Sequence, residues 1–98
     1  MYLKIHESYR KVVALCDKEI IGKKFEEGKR QLDVRENFYK GEEIDEQRVL
    51  KRLKQLRLDD ATFNLVGKKS VNAALKAGII TKGNIGKVQD IPFALSLL

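Results

Sequence analysis

With 98 residues, the chain is long enough for one hydrophobic core and too short for two domains of ordinary size. Its single cysteine excludes an intramolecular disulfide, and no Cys or His residues have zinc-ligand spacing, so we expect no metal, no cofactor and a reducing, cytoplasmic setting. The net charge of +6 favours a polyanionic partner, and the short apolar runs predict no membrane span. The 35% of charged residues is typical of thermophilic proteins.

The N-terminus is predicted to form a β-hairpin. Residues 2–6 alternate in polarity, with Leu3 and Ile5 on one face, as in a half-buried strand. Residues 12–16 are continuously apolar, which is typical of a central strand covered on both faces.

Weaker signals follow this hairpin. Asp17 is a suitable N-cap for a short helical turn at residues 18–21. Residues 25–28 are predicted to be a loop. Residues 31–35 alternate again and predict a third strand, which would end near residues 38–41.

The clearest helix begins after Asp45, a good N-cap, and is expected to end at about Arg57. Apolar residues at helical spacing mark its buried side: Val49, Leu50, Leu53 and Leu56. The opposite side carries Arg48, Lys51, Arg52, Lys54 and Gln55. One side of this helix is therefore predicted to pack and the other to be basic.

The C-terminal half predicts a strand at residues 61–66, a helix at residues 68–77, and short strands at residues 85–91 and 93–98. Pro92 separates the last two, so at least one should lie at an edge or a bend. We therefore expect an α/β (α+β mixed) single domain: a mixed sheet with an N-terminal hairpin, a C-terminal βαβ-like unit and two main helices packed on the sheet.

Positive charge is concentrated in the second half of the chain. Residues 1–46 contain ten Lys or Arg against eleven Asp or Glu, whereas residues 47–98 contain ten against three. The basic side of the predicted helix (Arg48, Lys51, Arg52 and Lys54) has no acidic partner at i+4. A nucleic-acid backbone is a natural counterpart, although an acidic protein segment would serve equally well.

A second basic feature is the turn Gly67-Lys68-Lys69, between a predicted strand and a predicted helix. Unpaired N–H groups at a helix start, with two lysines beside them, favour an anion such as phosphate. Asn64, just before the turn, either fixes it by local hydrogen bonds or faces a ligand. The spacing does not match a Walker A loop, and an exposed corner with solvated lysines is the alternative interpretation.

No catalytic constellation is visible in the sequence. His6 has no partner that spacing identifies, and Cys16 lies in the most apolar predicted strand. Phe38 and Tyr39 allow a stacking platform for bases, but two aromatics after a strand more often anchor a turn to the core. We therefore expect a binding protein and not an enzyme.

Three segments resemble an archaeal family of small conserved proteins known as domain of unknown function 424: VVALCDKEIIGKKFEEG, FYKGEEID and ATFNLVGKKSVNAALKAGII. The resemblance covers almost the whole chain. It implies an archaeal cytoplasmic protein and supplies no activity.

The sequence thus predicts a non-enzymatic protein that binds RNA or a ribonucleoprotein through phosphate contacts. The predicted site residues are Arg48, Lys51, Arg52, Lys54, Asn64, Gly67, Lys68 and Lys69. One alternative is a protein adaptor that docks on an acidic partner through the basic helix or the apolar segment 93–98. The other is a small-anion site at Gly67.

Overall fold

The computed structural model describes residues 1–96, which form a six-stranded sheet, a separate two-stranded hairpin and three helices. The strands are β1 (Tyr2–His6), β2 (Val12–Cys16), β3 (Lys24–Glu27), β4 (Arg30–Asp33), β5 (Glu42–Glu43), β6 (Thr62–Val66), β7 (Gly86–Val88) and β8 (Ile91–Ser96). The helices are α1 (Glu36–Tyr39), α2 (Glu46–Leu58) and α3 (Lys68–Lys76), with 3-10 turns at Lys18–Ile20 and Lys82–Asn84.

The six-stranded sheet has the order β5-β1-β2-β6-β8-β7. Strands β2 and β6 pair in parallel, and the other neighbours pair antiparallel. β2 is central, as its apolar run predicts, and the side chains of Val13, Ala14, Leu15 and Cys16 are fully buried. The predicted N-terminal hairpin and the mixed-sheet class are both confirmed.

Helices α2 and α3 cover one face of this sheet. The side chains of Val49, Leu53 and Leu56 in α2 are buried against a core that includes Leu15 and Phe63. The predicted start of α2 is confirmed, because an Asp45 carboxylate oxygen accepts a hydrogen bond from the Arg48 backbone N–H at 2.8 Å. Burial of one side of α2 leaves its opposite side in solvent.

The other face of the sheet is covered by α1 and the β3–β4 hairpin. Ala14 and Cys16 point to this face and contact a second core cluster with Val34, Tyr39 and Val66. The sheet therefore separates two apolar clusters, and a residue on one face cannot join a site on the other.

Two predictions for the first half of the chain are wrong. Residues 25–28 are not a loop, because three of them belong to β3, which pairs with β4. Residues 38–41 do not end a strand; Phe38 and Tyr39 instead belong to the four-residue helix α1. Neither element has an apolar period, so each depends on packing that sequence patterns do not show.

The C-terminal βαβ-like prediction gave the right order of strand, helix and strand but the wrong direction. β8 returns antiparallel to β6, so β6, α3 and β8 do not form a parallel crossover. The parallel pair is β2 and β6, joined by a long connection that contains α2. Pro92 lies in β8, and the neighbouring β7 is the edge strand, as expected. Residues 97 and 98, which we assigned to a strand, lie outside the described residues.

No helix between residues 1 and 96 is long and apolar enough to cross a bilayer.

Candidate nucleic-acid interface

The solvent-facing side of α2 carries a row of cations. Lys51 and Lys54 are exposed, and within residues 1–96 neither side chain forms a hydrogen bond or an ion pair. Arg52 is half-buried and donates one hydrogen bond, to the neutral Gln55 side chain at 3.5 Å. Arg57, one turn further along, is exposed and has no ion pair to a described residue. These four residues (Lys51, Arg52, Lys54 and Arg57) are the α2 cations below.

Two other predicted cations are already paired. The Arg48 guanidinium lies 3.5 Å from a Glu42 carboxylate oxygen, and the Lys69 ammonium lies 3.3 Å from Glu19. Glu19's own backbone N–H and then the Lys69 ammonium hold the pKa of the Glu19 carboxyl below its usual value. Both pairs are exposed and weak, but they balance charge locally.

Lys69 also borders a cleft of about 230 Å³ between the first turns of α2 and α3. Its lining mixes both signs of charge: Met1, Ile44, Asp45, Glu46, Lys69 and Asn72. The predicted basic site therefore divides into a charge-balanced part at the start of α2 and an unbalanced part from Lys51 onward.

The Gly67 turn does hold an anion, and that anion is the chain's own Asp17 carboxylate. One Asp17 oxygen accepts from the Ser70 backbone N–H and the Ser70 hydroxyl, each at 2.8 Å, and the other accepts from the Lys69 N–H at 3.0 Å. Ser70 is fully buried and Asp17 is 7% exposed. The carboxylate thus caps α3 from the end of the neighbouring strand β2, where a phosphate was expected.

Gly67 is required by this close approach. Its φ of 108° is unfavourable for other residues, and a Cβ atom there would lie 2.4 Å from the Asp17 carboxyl carbon. Asp17 accepts hydrogen bonds from the Lys69 and Ser70 N–H groups that a small anion would need, so the turn has no room for the predicted small anion. Lys68 is exposed beside the turn and has no ion pair within residues 1–96.

Asn64 lies away from the α2 cations. It pairs with Ala14 in the parallel β2–β6 ladder, and paired residues share a face of the sheet. Ala14 packs in the cluster beneath α1 and the β3–β4 hairpin, whereas α2 packs on the opposite face. The structure therefore separates Asn64 from the α2 cations.

Phe38 and Tyr39, which we considered as a stacking platform for bases, pack against other parts of the chain. Tyr39 is 9% exposed, and burial raises the pKa of its phenol to about 12. Phe38 stacks on the His6 ring with centroids 4.6 Å apart, and His6 Nε2 donates to the Phe38 carbonyl oxygen at 2.8 Å. These contacts fit the alternative interpretation, in which the pair anchors a turn.

Other side chains with catalytic chemistry are buried or already paired. Cys16 is buried, and burial, followed by the nearby Asp17 charge, raises the pKa of its thiol to about 11. The adjacent carboxylates Glu42 and Glu43 pair with different cations, Arg48 and Lys18. Among the described residues, no three His, Cys, Asp or Glu side chains lie close enough to hold a metal ion.

Sequence reasoning missed the role of Asp17 and two exposed apolar side chains. Tyr9 at the tip of the β1–β2 hairpin and Leu58 at the end of α2 are almost fully exposed. A parallel β2–β6 pairing would have revealed the Asp17 contact, because the carboxyl ends of parallel strands lie side by side.

Comparison with known proteins identifies relatives without an assigned activity. A family model described as a protein of unknown function (DUF424) matches residues 5–97. The chain resembles the crystal structure of an uncharacterised conserved protein from Methanopyrus kandleri, with a TM-score of 0.85 and 24% sequence identity, over 96% of this chain and 87% of that one. No curated protein matches the sequence. The structural likeness shows a shared fold.

Proposed function

We propose that this chain, which belongs to the DUF424 family of proteins of unknown function, binds RNA or a ribonucleoprotein through phosphate contacts from α2. The observation that carries the proposal is the row of α2 cations without acidic partners within residues 1–96. The chain acts as a binding protein without catalysis, in a reducing cytoplasmic setting that suits its free cysteine.

The α2 cations are suited to a polyanion because three of them (Lys51, Lys54 and Arg57) are exposed and all four lie within two turns of one helix. Lys51 and Lys54 are one turn apart, about 4.5 Å along the helix axis. Among the described residues, no neighbouring carboxylate must be displaced before Lys51 or Lys54 binds, whereas Arg48 and Lys69 would first have to leave Glu42 and Glu19. We therefore centre the contact on the α2 cations and treat the two paired residues as peripheral.

The proposal predicts a steep dependence of RNA affinity on salt. About four phosphate contacts give a slope of log K against log salt of roughly −2.8 to −3.6, so a fourfold increase in salt weakens binding about 50-fold to 150-fold. Fluorescence anisotropy with labelled RNA measures this slope.

Charge reversal separates a local site from a general charge effect. The double variant Lys51→Glu/Lys54→Glu removes two contacts and should reduce the slope to roughly −1.4 to −1.8. The matched control Lys23→Glu/Lys29→Glu changes the same net charge near the β3–β4 hairpin, on the opposite face of the sheet, and should keep the steep slope. Equal effects of the two variants, or no RNA binding at low salt, would contradict the proposal.

A second candidate is an adaptor that docks an acidic protein segment on the same helix. The 86% exposed side chain of Leu58 beside Lys54 and Arg57 favours it, since exposed apolar residues often mark protein contacts. The strand-addition form of this hypothesis is limited to a short edge, because β8 pairs with β6 over residues 93–96 and with β7 over residues 91–93. Binding of a poly-glutamate peptide in place of RNA would support the adaptor.

A further inference from the structure

The tip of the β1–β2 hairpin and the end of α2 lie at the same end of the molecule. The Thr62 N–H donates to the Lys11 carbonyl oxygen at 2.9 Å, which joins the starts of β2 and β6. The Lys11 ammonium also lies 3.3 Å from an Asp59 carboxylate oxygen, just after α2. Residues 7–11 of the hairpin tip are thus fixed beside the C-terminal end of α2.

This end presents two large apolar side chains that nothing within residues 1–96 covers. Tyr9 has a relative exposure of 108% and Leu58 of 86%. At this tip the Ser8 hydroxyl donates to the Arg10 carbonyl oxygen, and the Tyr9 ring points into solvent. A tyrosine ring exposed in this way is available to stack on a flat partner.

The charge around the two side chains changes over a short distance. One cleft contains Tyr9 among three carboxylates (Glu7, Asp59 and Asp60) and two cations (Arg10 and Lys11), with Lys11 paired to Asp59, so its charge does not favour anions. The adjoining cleft shares Asp60 and contains Leu58 with Lys54 and Arg57. The hairpin tip therefore suits an uncharged ring, and the neighbouring helix suits the phosphates attached to it.

From this arrangement, which rests on the proposed function, we infer that the RNA ligand is single-stranded and that one of its unpaired bases stacks on Tyr9, at the same end of the molecule as Leu58. Bases in a duplex are stacked on each other and cannot be presented to a side chain, whereas bases in loops and ends can. A Tyr ring gives such binding without strong sequence preference, because every base has a π face.

The inference predicts a specific pattern for substitutions at Tyr9. Tyr9→Ala should weaken binding of a single-stranded RNA about fivefold to 150-fold, which corresponds to one lost stack. It should leave the salt slope unchanged, because no cation is removed. Tyr9→Phe keeps the ring and should bind within about twofold of the unmodified chain. Since Tyr9 is fully exposed, neither change should affect folding.

The absence of tryptophan from the chain allows a direct reporter at this position. Tyr9→Trp places the only indole at the hairpin tip, and titration with single-stranded RNA should quench its fluorescence. A duplex of the same sequence at the same salt should quench it much less. This readout detects stacking at residue 9 separately from affinity.

The outcomes distinguish this inference from the proposed function. If single-stranded RNA binds with the steep salt slope but Tyr9→Ala binds equally well, the stacking inference is overturned and phosphate binding stands. Equal quenching by duplex and single strand also overturns it. If no RNA binds at low salt, both fail, and quenching by an acidic peptide would then assign the same end to a protein partner.

Discussion

Replacing Asp17 by alanine removes the carboxylate that caps α3 from the neighbouring strand. Three donors lose their acceptor: the Lys69 N–H, the Ser70 N–H and the Ser70 hydroxyl. The Lys69 N–H is only partly buried and can turn to water, but Ser70 is fully buried. Each unsatisfied buried donor costs about 1–3 kcal/mol, and the lost interaction with the helix dipole adds about 0.5 kcal/mol.

We therefore expect Asp17→Ala to lower the free energy of unfolding by about 2.5–6.5 kcal/mol, a large part of the total for a domain of this size. Urea unfolding followed by circular dichroism measures the change. The stability of Asp17→Asn should lie between that of Asp17→Ala and that of the unmodified chain, because its single amide oxygen keeps one acceptor while its NH₂ group faces the remaining donors.

The matched control is Asp45→Ala, which removes the cap of α2. That carboxylate is exposed and accepts one backbone hydrogen bond, so its loss should cost about 1 kcal/mol. If Asp17→Ala proves no more destabilising than Asp45→Ala, the buried carboxylate is not the principal support of α3. Acetate, added against a sodium chloride control, should raise the stability of Asp17→Ala more than that of the unmodified chain, because it can replace the missing carboxylate.

Three further predictions concern other parts of the molecule. Labelling of the Cys16 thiol at pH 8 should be at least about 100-fold slower in the folded chain than in urea, because burial raises its pKa to about 11. The Lys18 ammonium lowers the pKa of the Glu43 carboxyl. This carboxylate therefore stabilises the fold above its unfolded pKa and loses that contribution as the pH falls through its folded pKa. In Lys18→Ala, NMR titration should show the Glu43 pKa rising. Gly41→Ala places a Cβ atom 2.3 Å from a backbone oxygen of β1 and should cost about 1–3 kcal/mol in urea unfolding, whereas Gly83→Ala, whose Cβ atom meets only the Thr81 hydroxyl oxygen at 3.9 Å, should cost less than 1 kcal/mol.

Local patterns predicted the elements whose signals lie within one segment. The Asp45 cap and the apolar spacing of Val49, Leu53 and Leu56 located α2, and the uninterrupted apolar run located β2. The strand β3 was missed because three of its four residues are charged and it exists only by pairing with β4. Propensity is a weak guide where the partner strand decides the structure.

The site was harder to predict than the fold, because its meaning depends on contacts between distant segments. The basic side of α2 followed from helical spacing, but only the structure shows that Arg48 is paired while Lys51 and Lys54 have no partner within residues 1–96. The Gly67 turn has the local chemistry of an anion site, and the sequence gives no sign that Asp17 fills it. Strand direction also depends on distant segments, so the βαβ-like prediction missed that β8 runs antiparallel to β6.

The parallel pairing of β2 with β6 also determines when the protein can fold during synthesis. Asp17 and Ser70 are 53 positions apart, and the two strands pair across a similar separation. At ordinary rates of translation, roughly 3 to 10 seconds pass between the synthesis of β2 and that of β6. During this interval the β1–β2 hairpin exposes an apolar strand edge without its neighbour, the kind of edge on which other chains aggregate. A nascent chain that stalls before Thr62 would therefore keep this edge of β2 exposed, whereas β6 covers it in the completed domain.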